Sequence, residues 1–230
     1  MEISIESLLV GARQAVGAVA IIDVFRAFTT AAVVLANGAA RILMVGTTQE
    51  ALALRESGIG QICMGEVRGV PPDGFDFGNS PFEVARADFA GKTIIQRTSA
   101  GTQGIVAAAA AERLYAASLV TAKATARALA SGRESRVSLV AMGDSGLTRT
   151  DEDELCALHL RNLLEGRPGN PAAVRQLILA GGEVARFNDP ARPHLRSDDV
   201  EIALDIDRYD FAIRVGTEGG RAVARLERAG

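Results

Sequence analysis

Apolar and polar positions along this chain fall into a repeating pair: a short β-branched run, then a longer stretch whose apolar residues recur at helical spacing. Gly17 to Val24 (GAVAIIDV) predicts a strand, and Arg26 to Asn37 (RAFTTAAVVLAN) a helix closed by Gly38. Arg41 to Val45 predicts the next strand, followed by a helix that Thr47 and Glu50 open as a capping box and that stops near Gly58. Ile62 to Met64 is a third, shorter strand. Gly65 to Gly78 (GEVRGVPPDGFDFG) is too rich in glycine and proline for either element and predicts a long structured loop, of the kind that commonly carries function. Ser80-Pro81-Phe82-Glu83 then supplies an N-cap, a first-turn proline and a box glutamate for another helix.

Further strands are predicted at Lys92 to Gln96, Arg113 to Ala116 and Arg136 to Met142, and helices at Thr102 to Ala111, Thr121 to Ala130 and Asp151 to Leu164. The alternation predicts an α/β fold, layered α/β/α around a largely parallel or mixed sheet covered on both faces. Beyond Gly166 the pattern loosens into a helix at Pro171 to Ala180, a polar stretch from Asn188 to Asp199, and strands at Phe211 to Val215 and Ala222 to Leu226. No low-complexity linker or internal repeat sets this tail apart, so residues 1–230 read as a single domain.

Composition narrows the partners. Twenty-five basic residues against 28 acidic ones leave a net charge of −3, which offers no basic field to a nucleic acid backbone. Aromatic residues make up only 4 %, with no tryptophan, so stacking platforms for single strands are poorly supplied as well. Cys63 and Cys156 lack Cys-x-x-Cys spacing and read as core packing, and a reduced, cytoplasmic setting is expected. No run approaches the ~20 apolar residues that a bilayer requires, and Glu2 and Glu6 lie where an export signal would carry positive charge. A small molecule, neither membrane nor nucleic acid, is the expected partner, and a homodimer is expected on the base rate for cytoplasmic enzymes in general.

In parallel sheets ligands collect beyond the carboxyl ends of the strands, where loops and helix starts converge. There the sequence places Asp23 with Arg26, then Gly65-Glu66-Val67-Arg68, Arg97-Thr98-Ser99-Ala100-Gly101-Thr102, and Gly143-Asp144-Ser145-Gly146. Arg26, Arg68 and Arg97, with the small residues Ser99 to Thr102 exposing backbone amides, describe an anion pocket. Asp23, Glu66, Asp76 and Asp144 would repel an anion from the same edge unless a hard divalent cation lay between them, and Mg²⁺ is the common helper of phosphoryl transfer. Each piece also has a plainer reading: Asp23 with Arg26 as a helix-start ion pair, Arg97 to Thr102 as a hydroxyl-capped turn, and the acids Asp151 to Glu154 as a first turn matched to the helix dipole. His159 and His194 read as surface or interface residues. Gly143-Asp144-Ser145-Gly146 has no histidine upstream to make a serine nucleophile, and neither a P-loop nor a dinucleotide fingerprint is present. Asp205-Ile206-Asp207 is better explained as turn chemistry than as a phosphatase aspartate pair.

Four segments then resemble, in order and spacing, the 2-phosphosulfolactate phosphatase family: Asp23 to Thr30 (DVFRAFTT), Gly65-Glu66, Gly74 to Pro81 (GFDFGNSP) and Arg97 to Thr102 (RTSAGT). Glu152-Asp153 with Cys156-Ala157 looks like that family's later helix. Where many members read Thr-Thr-Asn-Gly-Thr, this chain has Thr98-Ser99-Ala100-Gly101-Thr102 and lacks the amide side chain. The resemblance implies a Mg²⁺-dependent phosphatase that converts 2-phospho-3-sulfolactate to 3-sulfolactate and phosphate, a step towards coenzyme M. Such a substrate carries phosphate, sulfonate and carboxylate, the ligand class that the residues themselves suggest. Taken together, the expectation is that Asp23, Glu66 and Asp76 hold the metal, while Arg26, Arg97 and the amides near Gly101 absorb developing charge. Asn79 and Thr98 orient ester or water, and Arg68, Ser99, Gly101 and Thr102 join Arg97 in binding substrate. Asp23 serves as nucleophile or as base, which the sequence leaves open. A lyase or isomerase on a phosphorylated or sulfonated acid, and a non-catalytic anion-binding module, are the competing readings.

Overall fold

A computed structural model describes residues 1–228. Strand β1 (Glu2–Ser7) runs into helix α1 (Leu8–Gln14), and β2 (Gly17–Ile22), α2 (Ala27–Ala36), β3 (Arg41–Met44), α3 (Thr48–Glu56) and β4 (Ile62–Gly65) follow. After a long loop come α4 (Pro81–Val84), β5 (Thr93–Arg97), α5 (Gly101–Ala107), β6 (Ala111–Ala117), α6 (Ala122–Ala130), β7 (Arg136–Ala141) and α7 (Asp151–Leu164). The last third holds α8 (Pro171–Ala180), a 3-10 segment Glu183–Asn188, α9 (Ser197–Ala203) and a hairpin of β8 (Ala212–Glu218) and β9 (Arg221–Glu227).

The nine strands form one mixed sheet in the order β1-β7-β2-β6-β8-β9-β3-β5-β4. β1, β7, β2 and β6 are mutually parallel, as are β3, β5 and β4. The hairpin lies between these blocks and pairs antiparallel with β6 on one side and β3 on the other. The two parallel blocks therefore run in opposite senses. Sheet twist of roughly 20–25° per step accumulates to on the order of 100° over the five steps from β2 to β5, so the carboxyl ends of both blocks swing towards one side.

Alternate residues of β2 face opposite layers, as expected of a strand buried on both faces. Val19 and Ile21 pack with α2 and α5, while Ala18, Ala20 and Ile22 pack beneath α6 and α7. Helix α2 is apolar all round and buried from Ala27 to Leu35. It shares one core with Ile21 and Val140 of the first block and with Ile42, Met64 and Ile94 of the second. The two blocks thus meet across α2 as well as through the hairpin.

The predicted caps form: Thr47 Oγ1 accepts from the Glu50 amide at 3.1 Å and Ser80 Oγ from the Glu83 amide at 3.2 Å. Two differences from the sequence pattern have a local cause. The edge strand β1 and helix α1 lie in a stretch the apolar pattern leaves unassigned, since β1 pairs only with β7 and stays half-exposed. The helix predicted to Ala111 ends at Ala107, because in a pure alanine run propensity favours helix while sheet pairing takes Ala111 into β6.

Phe28 is fully buried in α2, so Phe28→Ala is expected to cost about 3–5 kcal/mol. Urea unfolding measures this, and an unchanged midpoint would show that α2 is not the seam between the blocks.

Candidate active site

The carboxyl ends of β2, β4, β5 and β7 open into one cleft of about 370 Å³. Asp23, Arg26, Glu66, Arg68, Asn79 and Ser99 line it, together with Asp144 from the β7–α7 loop. Of the residues expected at the site, those are the ones brought together.

Asp23 follows β2 and is buried. Its Oδ1 accepts from the Ala27 amide at 3.0 Å, and its Oδ2 lies so close to Gly101 that a Cβ there would sit at 2.8 Å. Glycine is required at position 101 for that approach. Burial, reinforced by the charge of Glu66, pushes the Asp23 carboxyl up to about 7. Glu66 accepts from the Ser99 amide at 2.5 Å, the Ser99 hydroxyl at 3.0 Å and the Gly69 amide at 2.6 Å. It thereby ties the long loop after β4 to the turn after β5.

A second group of acids comes from the first turn of α7. Asp153 accepts from the Val24 amide at 2.7 Å and the Gly143 amide at 2.8 Å, pinning together the ends of β2 and β7. Burial and the charges of Glu152 and Asp23 hold its carboxyl well above the usual range. Glu152 is buried at the cleft wall, where burial and then the charges of Glu183 and Asp23 push its carboxyl up to about 7. Its Oε2 has no hydrogen-bond partner, and neither has Asn79 Oδ1. Two buried acceptors left unsatisfied on one cleft each carry a cost that a bound partner would remove.

Other expected residues lie elsewhere. Asp76 does not line the cleft; its Oδ2 accepts from the Cys63 amide at 2.8 Å and from Arg55 at 3.0 Å, bracing the loop against α3. The trio Asp23, Glu66 and Asp76 is therefore not assembled, and among the described residues no group of three or more His, Cys, Asp or Glu is disposed to hold a metal ion. The Arg97 guanidinium turns to the carbonyls of Glu66, at 2.7 Å, and Gly46, at 3.4 Å, and does not line the cleft. Thr98 and Thr102 are buried and bond one another, with the Thr98 amide donating to Thr102 Oγ1 at 2.8 Å. These groups shape the turn that presents Ser99. His194, expected at the surface, lines the cleft, whereas His159 is buried within α7. Cys63 and Cys156 are both buried in the core.

One wall of the cleft is built by residues that no strand-end motif marks. Arg186, Phe187, Arg192 and His194, from the 3-10 segment and the loop after it, line the cleft, where Arg186 pairs with Glu183 at 2.5 Å and Asp144 at 3.3 Å. Burial, then the guanidinium charges of Arg26, Arg192 and Arg186, lower the proton affinity of His194, which marks this wall as electropositive. The density of arginine between residues 186 and 196 is the signal that was there to find.

Known proteins decide the reaction class. The family model described as 2-phosphosulpholactate phosphatase matches residues 5–215. The chain belongs to the 2-phosphosulfolactate phosphatase family. It is 32 % identical over 202 residues to a probable 2-phosphosulfolactate phosphatase of Bacillus subtilis (strain 168), covering 86 % of this chain and 87 % of that one. A protein of the same description from Symbiobacterium thermophilum is 35 % identical, with 77 % and 76 % covered, and one from Thermotoga petrophila is 35 % identical, with 72 % and 71 % covered. The chain is thus a phosphatase-type hydrolase acting on a small anionic phosphorylated substrate. Among the described residues no helix is long and apolar enough to cross a membrane.

Asp23 and Glu152 titrate near 7 in the folded chain and near 4 when unfolded, so between those values the folded form binds more protons and stability falls as pH rises. Glu152→Gln is accordingly expected to gain thermal stability over the parent at pH 8 in EDTA and little at pH 4.5. Equal differences at both pH values would contradict the shifted carboxyl.

Proposed function

We propose that the cleft hydrolyses 2-phospho-3-sulfolactate, or a close multiply anionic phosphomonoester, to the alcohol and inorganic phosphate with Mg²⁺ bound. The observation that carries this reading is one cleft lined both by buried acceptors without a hydrogen-bond partner, on Glu152 and Asn79, and by several arginines. Hard oxygen donors at Asp23 and Asn79 Oδ1 suit Mg²⁺, which commonly takes one or two carboxylates and completes its shell with water and substrate phosphate. The Asp23 carboxyl, raised by burial, and the unpartnered amide oxygen of Asn79 are what such a cation would satisfy, so these residues would hold it in place of the trio with Glu66 and Asp76. When bound, the ion would neutralise charge developing on the phosphoryl oxygens.

The chain's own groups do the rest. Arg26 and Arg68 face the phosphoryl group with charged donors, and the Ser99 turn, fixed by Glu66, closes one side. Glu152 Oε2 accepts a proton from the attacking water, and its affinity near 7 suits a base working at neutral pH. The water oxygen bonds to phosphorus as the ester P–O bond breaks, the departing oxygen takes a proton from solvent, and Glu152 returns its own to solvent as phosphate leaves. Arg186, Arg192 and His194 receive the sulfonate and carboxylate. Ser99 binds substrate directly, whereas Arg97, Thr98 and Thr102 act by holding the turn, and Gly101 by making room for Asp23.

Phosphate release from 2-phospho-3-sulfolactate is expected with Mg²⁺ and lost in EDTA. Glu152→Gln is expected to lower kcat by about 100-fold or more, as for removal of a general base, while circular dichroism stays unchanged. Asp76→Asn is expected to keep turnover within a few-fold of the parent. No release from any member of a panel of small phosphorylated acids, or full activity in Glu152→Gln, would overturn the reading.

A further inference from the structure

We infer that Asp199, in the first turn of α9, is a positioning residue that aims Arg26 and the Asn79–Ser80 turn at the cleft. Arg26 and Asp199 form an ion pair at 2.7 Å with side chains only 4 % and 0 % exposed. The remaining carboxylate oxygen, Oδ1, accepts from the Ser80 hydroxyl at 2.6 Å and from the Phe82 amide at 3.1 Å. One carboxylate thus clamps three segments far apart in sequence: the start of α2, the N-cap of α4, and the tail.

The consequences reach the cleft on two sides. Arg26 Nη1 is held between Asp199 Oδ2 and the His194 carbonyl at 2.9 Å, and the guanidinium lies 5.8 Å from the centre of the Phe187 ring. These contacts anchor one end of the fork and leave the side chain lining the cleft. Ser80, fixed by the same carboxylate, immediately follows Asn79, whose Oδ1 is buried without a partner. The backbone carbonyl of Asn79 is held in turn by the Thr30 hydroxyl at 3.1 Å. A long arginine loses much rotamer freedom in reaching a fixed pose. Pairing with an ordered, desolvated carboxylate meets that cost before the anionic ligand arrives, which is how a supporting residue sharpens a binding group.

The kinetic part of this inference rests on the phosphatase reading; binding of inorganic phosphate, with no turnover, tests it separately. Asp199→Asn keeps an oxygen for Ser80 and Phe82 but presents an amide donor to Arg26, so the guanidinium is released while the clamp on α4 stays. Arg26→Met and Asp199→Asn are each expected to weaken phosphate affinity, and kcat/KM, by about ten- to a hundredfold, the scale of one charge-assisted hydrogen bond. The double variant is expected to be no more than a few-fold worse than either alone, because both lose the same contact. Ser80→Ala, which leaves the ion pair in place and loosens only the Asn79–Ser80 turn, is expected to cost a few-fold in affinity in the parent and in the Arg26→Met background alike; it reads the Oδ1 side of the clamp even if Asp199→Asn fails to fold. Parental phosphate affinity in Asp199→Asn, losses that multiply in the double variant, or parental affinity in Ser80→Ala would each overturn the assignment. The expected binding pattern with no release of phosphate from esters would leave Asp199 in its role and remove the proposed reaction instead.

Discussion

Asp23, Glu152 and Asp153 share one buried volume where β2, β7 and α7 meet; burial raises the proton affinity of all three, the charge of Asp23 adds to it at Glu152 and Asp153, and that of Glu152 adds to it at Asp153. Asp23 and Asp153 take hydrogen bonds from backbone amides, and among the described residues no cationic side chain forms an ion pair with any of the three. Removing carboxylates from water without a counter-ion is among the costlier things a fold can do. The amide contacts of Asp153 recover part of that cost by locking the strand ends together. What is left over is a raised proton affinity at Asp23 and Glu152 on the cleft wall.

The sheet makes this concentration of charge available to a ligand. Two parallel blocks running in opposite senses would place their carboxyl ends far apart if the sheet were flat. The antiparallel hairpin and the accumulated twist turn them to one side, with the apolar helix α2 filling the space between. Glu66 and Ser99 arrive from one block, Asp23 and Gly143 from the other. The tail then crosses the opening with Arg186, Arg192 and His194, and Asp199 fastens it to Arg26 and Ser80.

Much of this architecture could be read from the chain. The run GAVAIIDV announced a strand buried on both faces with an acid at its end, and Thr47 and Ser80 announced their caps, because each signal is local. The family resemblance carried by DVFRAFTT and GFDFGNSP agrees with the model match over residues 5–215. Asp76 misled for a physical reason: in the motif it stands between glycines on a loop that looks functional, yet it faces the Cys63 amide and Arg55, and only tertiary contacts fix that orientation. Arg97 misled in the same way, spending its donors on carbonyls. The wall built by Arg186, Arg192 and His194, and the clamp at Asp199, were illegible because they lie in a polar segment without periodicity whose role depends on docking against residues more than a hundred positions away.

The buried carboxyl of Asp23 is the proposed seat of the divalent cation on which turnover depends. Calorimetric titration of the protein with Mg²⁺ between pH 5.5 and 8.5 tests that most directly. The prediction is binding that tightens by up to about tenfold per pH unit below 7, as a proton is displaced, levels off above it, and disappears in Asp23→Asn. Affinity independent of pH, or undiminished in Asp23→Asn, would contradict it.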